Sequence, residues 1–106
     1  MVGSIYFIEM PYSDFRHAKG RPVLVVKQID KNDLLVLPLT SNLKREGINI
    51  TNIDIADGTL KKESVVIVPK MTAVDHGLIV QSRKIATLKK SAFDNVLQAL
   101  CDRLGC

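Results

Sequence analysis

Four short apolar stretches, within residues 4–10, 23–28, 34–39 and 64–69, most constrain what this chain can fold into. Each is too short for a buried helix and is bordered by Pro, Gly or an Asp/Asn cluster; the first is rich in β-branched and aromatic types and the other three in Val, Ile and Leu, which reads as strands. Residues 48–51 (Ile48, Asn49, Ile50, Thr51) alternate apolar and polar as a half-buried strand does. The turn Asp30, Lys31, Asn32, Asp33 is of the kind that joins antiparallel neighbours, so the second and third strands should pair. Asp57 and Gly58 signal another turn, and a last short strand is placed at residues 78–81 or near Ile85. The chain ends in a helix. Phe93, Val96, Leu97, Leu100 and Leu104 share one face, Ser91 with Asp94 resembles a capping box, and Gly105 stands where a C-cap belongs. These elements predict a mainly β domain over residues 1–106, a small antiparallel barrel or sandwich with one packed C-terminal helix.

The balance of residue types agrees with one folded domain: of 106 residues, 46% are hydrophobic and 25% charged. Trp is absent and aromatics are scarce, so the core must be aliphatic. The net charge of +4 is spread evenly along the chain with no basic tail, which suits an anionic partner held briefly, such as RNA. No signal-peptide pattern opens the chain, and no apolar stretch approaches the ~20 residues needed to span a bilayer. The expectation is a soluble, cytoplasmic protein with no membrane partner. Cys101 and Cys106 fit neither a zinc knuckle nor a redox pair, so both are expected as reduced thiols.

The chemistry is narrowed by exclusion. No phosphate-cradling glycine loop is present, so no nucleotide cofactor is expected. His17 and His76 lie far apart with no carboxylate cluster around them, so no metal is expected. What stands out is the segment 19–26 (KGRPVLVV), where Pro22 holds Arg21 in extended backbone and Gly20 is read as permitting a bend. Antiparallel pairing brings Arg21, just before the second strand, close to Thr40 and Ser41, just after the third. A guanidinium beside hydroxyls is a phosphate-binding arrangement. RNA carries its own nucleophile, the 2′-hydroxyl, so cleaving it takes a base, an acid and charge stabilisation at phosphorus. His17, whose side-chain type titrates near ~6.5, is a candidate acid or base. Arg16, Lys19, Ser41, Lys44 and Arg45 are candidate RNA contacts.

Here the chain resembles the MazF/PemK toxins of toxin–antitoxin modules. Residues 4–8 (SIYFI) resemble that family's opening strand, GDIYLVDL, and residues 19–26 its KGRRPVLVV. Residues 36–41 (VLPLTS) are similar to VVVAPITS, and residues 57–66 (DGTLKKESVV) to GLKKDSVV. The resemblance implies an SH3-like barrel of the CcdB/MazF type, a homodimer, and metal-independent cleavage of single-stranded RNA that leaves a 2′,3′-cyclic phosphate. It assigns catalysis to Arg21 and Thr40, and implies a small acidic antitoxin that occludes the site. The family's loop glutamate is missing, and His17, at a position some relatives use for acid–base work, stands in that loop. Two other readings share this fold: a toxin that inhibits a protein such as DNA gyrase, and an RNA-binding barrel without catalysis.

Overall fold

The computed structural model describes residues 1–10 and 19–106. The strands are β1 (Ser4–Met10), β2 (Lys19–Gln28), β3 (Asp33–Thr40), β4 (Ile48–Ile50), β5 (Ile55–Gly58), β6 (Ser64–Val66), β7 (Thr72–Asp75) and β8 (Arg83–Leu88). Two helices, α1 (His76–Val80) and α2 (Lys90–Leu104), complete the fold. The strands form one curled, open half-barrel in the order β4-β6-β3-β2-β1-β8-β5, with β7 also on β3. Every pairing is antiparallel. Asp30 builds the β2–β3 turn, its carboxylate accepting the backbone N–H groups of Asn32 (2.7 Å) and Asp33 (2.9 Å).

Alternation along the strands supplies two cores, one on each face of the sheet. Ile5, Leu24, Val26, Leu37 and Leu39 meet Ala92, Val96 and Leu100 of α2 on one face. Tyr6, Ile8, Val23, Val25, Leu34 and Val36 meet Val74 and Ile79 on the other. Burial on both faces explains why β2 and β3 read as continuous apolar runs. Strand β3 lies at the junction. Its first half pairs with β7 from Asp33 to Val36, its last residues Leu39 and Thr40 pair with β6, and β2 runs along its other side.

Several expectations need correction. The helix α2 begins two residues earlier than a cap at Ser91 requires, with Lys89 as N-cap and no side-chain cap bond. The capping box is instead at Thr51 and Asp54, on the 3-10 turn Asn52–Asp54. The buried face of α2 is centred on Ala92, Val96 and Leu100, while Leu97 is at its rim (36% exposed) and Leu104 projects past the sheet (63%). Residues 76–80 are helical rather than a strand, because the Asp75 carboxylate accepts the Gly77 N–H (3.1 Å) and starts a turn. The closing strand is the one around Ile85. Asp57 and Gly58 belong to β5. Cys101 and Cys106 form a disulfide, their Cα atoms 5.2 Å apart. Gly105, at φ 81°, folds the chain back over the last helical turn and makes that approach possible. Among the described residues, no helix is long and apolar enough to cross a membrane.

Candidate functional site

Arg21 and Thr40 are positioned by the β2–β3 ladder. Val23 pairs with Pro38 and Leu24 with Leu37. The last pair of this ladder is Val23 with Pro38; Arg21 and Thr40 lie two residues beyond it on the two strands, and Thr40 pairs on the other edge of β3 with Val65 of β6. On its other side Arg21 pairs with Ile8 of β1. Both side chains are half-buried at the end of the sheet.

Thr40 also builds the loop that follows it. Its hydroxyl accepts the Asn42 N–H (3.1 Å), and the Asn42 side chain accepts the Lys44 N–H (3.1 Å). Used as an acceptor in this way, the Thr40 hydroxyl keeps its own proton for a bound oxygen. Ser41, Lys44 and Arg45 are exposed on this loop. The far end of the loop is held twice: Glu46 pairs with Arg103 of α2, and Gly47 lies against β6. A Cβ on Gly47 would fall 2.0 Å from the Val66 carbonyl oxygen. Gly47→Ala is therefore expected to cost about 1–3 kcal/mol, read as a lower urea midpoint, since the backbone must move to admit the methyl.

A cleft of about 310 Å³ opens beyond the end of α2's packing surface. Its floor is a row of side chains across four strands. Phe7 pairs with Pro22 on one side and with Arg83 on the other, and the β2–β3 register carries the row on to Leu39. Lys61 and Lys62 stand on its rim, with the hydroxyls of Ser41 and Ser64. Gly20 is not at a bend. It lies within β2, and a Cβ there would come 2.2 Å from the Phe7 ring, so its absence lets the ring lie flat on the strand.

Of the residues singled out from sequence, Arg21 and Thr40 lie on adjacent strands two residues beyond the last β2–β3 pair, and Ser41 lines the cleft. Lys44 and Arg45 line no cleft described here, and Lys19 is the first residue of β2. His17 and Arg16 lie outside the described residues. Phe7, Lys61, Lys62 and Arg83 were not singled out as a group, and only their convergence in three dimensions marks them.

Among curated proteins no sequence match is found. Solved structures similar in fold include three MazF toxin structures. The toxin MazF-mt6 of Mycobacterium tuberculosis has a TM-score of 0.72 at 16% identity, covering 96% of this chain and 96% of that one. MazF of Deinococcus radiodurans gives 0.71 at 17% identity, covering 99% and 96%. The MazE–MazF structure from the same organism gives 0.74 at 18% identity, covering 98% and 94%. These confirm the small barrel with a C-terminal helix expected from the sequence. The model of the PemK-like, MazF-like toxins of type II toxin–antitoxin systems matches residues 1–104, and the chain belongs to that family.

Proposed function

We propose that this protein is a metal-independent endoribonuclease that cleaves single-stranded RNA, acting as the toxin of a toxin–antitoxin pair in the cytoplasm. One observation supports the reading: Arg21 and Thr40 stand on adjacent antiparallel strands, each two residues beyond the last β2–β3 pair, Val23 with Pro38. In this reading the ribose 2′-oxygen attacks the adjacent phosphorus and loses its proton to a base. The bond from phosphorus to the 5′-oxygen breaks, and that oxygen gains a proton. Charge accumulates on the non-bridging oxygens, where a fork of N–H donors and a hydroxyl stabilise the transition state more than the ground state. His17 is assigned the acid–base role, Thr40 orients the phosphate, and Arg16, Lys19, Ser41, Lys44 and Arg45 contact the RNA backbone. A homodimer and a cognate antitoxin partner follow from the family, one neighbour being a MazE–MazF complex.

The test uses a long single-stranded RNA in the presence of a chelator. Fragments ending in a 2′,3′-cyclic phosphate, with 5′-hydroxyl partners, are the expected products, and a substrate with deoxyribose at the cut position should be inert. Intact RNA, or cleavage of the deoxyribose substrate, would overturn the reading.

A further inference from the structure

We propose that the Phe7 cleft is a nucleotide subsite, taking one base of a single-stranded RNA on the Phe7 ring and its neighbouring phosphates on Lys61, Lys62 and Arg83. The inference rests on the RNA-cleaving reading above, and it adds a contact on the face of the sheet turned away from Arg21 and Thr40.

Phe7 is 42% exposed although it sits in the middle of the sheet, between β2 and β8. Its ring is held flat, with Gly20 beneath it and Pro22 and Arg83 as cross-strand neighbours. A fixed, exposed aromatic ring is a stacking platform that accepts any base. The charge around it has one sign. Three cations and no carboxylate line the cleft, and among the described residues no carboxylate pairs with Lys61, Lys62 or Arg83. The nearby acids are engaged elsewhere, Asp57 with Lys84 (3.7 Å) and Glu63 with the Asn49 amide (3.4 Å).

The rim is built to stay in place. The Asn52 side chain accepts the Leu60 N–H (2.8 Å) and donates to the Leu60 carbonyl (3.0 Å), which fixes the segment carrying Lys61 and Lys62. Continuity with the first site favours RNA over a separate ligand. Pro22 follows Arg21 and Ser41 follows Thr40, so the two faces meet at the same strand ends. A strand of RNA passing around that edge reaches the cleft with a nucleotide flanking the cut.

Because the chain has no Trp, Phe7→Trp introduces a single indole reporter. Titration with a mixed-sequence, fully 2′-O-methyl single-stranded oligonucleotide, which binds without being cut, should quench that indole. Phe7→Ala should weaken binding about 10-fold, as loss of one stacked base does. The double variant Lys61→Gln, Lys62→Gln should lower the slope of log affinity against log salt by about 1.4, the share of two phosphate contacts on a single strand. An unquenched indole with an unchanged salt slope would overturn the proposal, even if the wild type cuts RNA. Quenching by an acidic peptide but not by the oligonucleotide would also overturn it and assign the cleft to a protein partner. Failure of the wild type to cut any RNA, with quenching and slope as expected, would remove the catalytic reading and keep the subsite.

Discussion

Arg21→Ala is expected to slow RNA cleavage at least ~100-fold, the effect of removing one charge-stabilising donor from a transition state, about 2.7–4 kcal/mol. The loss should appear in the single-turnover rate at saturating RNA, because the guanidinium is assigned to charge that develops during reaction. Arg21→Lys should recover only part of the rate: an ammonium restores the charge without the planar fork that grips two oxygens. Thr40 separates orientation from loop building. Thr40→Ser keeps a hydroxyl for both the Asn42 N–H and the phosphate, whereas Thr40→Val loses both at similar volume. Thermal melting of each variant guards against misfolding, since both positions are half-buried. Full activity in folded Arg21→Ala and Thr40→Val together would remove the assignment.

Leu24→Ala is expected to destabilise the fold by about 2–5 kcal/mol, through lost apolar transfer and the cavity left behind. Leu24 is fully buried at the centre of β2, opposite Ile5 on one side and Leu37 on the other. All three belong to the core beneath α2, so no solvent-facing side chain can swing in to fill the space. Small domains hold a net stability of roughly 5–15 kcal/mol, so this one change removes a large share of it. Urea denaturation should show a lower midpoint at nearly unchanged slope, as expected when the unfolded chain is unaltered. A loss below about 1 kcal/mol would mean that the core collapses around the gap.

What could be read from the sequence followed the strength of the local signal. The runs in β2 and β3 are long, apolar and separated by an Asp-led turn, so their antiparallel pairing was legible. Helix α2 was legible as a helix but not in its rotation. Leu97 and Leu104 fit the spacing as well as Ala92 does, and a small residue at the tightest contact carries no hydrophobic signal of its own. The helix α1 reads as a strand because Leu78, Ile79 and Val80 favour one, and only the Asp75–Gly77 cap tips the balance. The strands β5 and β7 span four residues each and depend on pairing partners that local sequence does not show. The Phe7 cleft draws on β1, β8 and the segment before β6, which meet only after the sheet curls.

Strand β3, shared among β2, β6 and β7, gives the molecule an anvil rather than a jaw. The three ladders grip β3 in succession along its length, β7 at Asp33–Val36, β2 up to Pro38 and β6 at Leu39 and Thr40, so the hydroxyl end is tied to the body through β6. Accommodation of differently shaped ligands then falls to whatever borders the anvil, while the striking surface keeps its form from one encounter to the next.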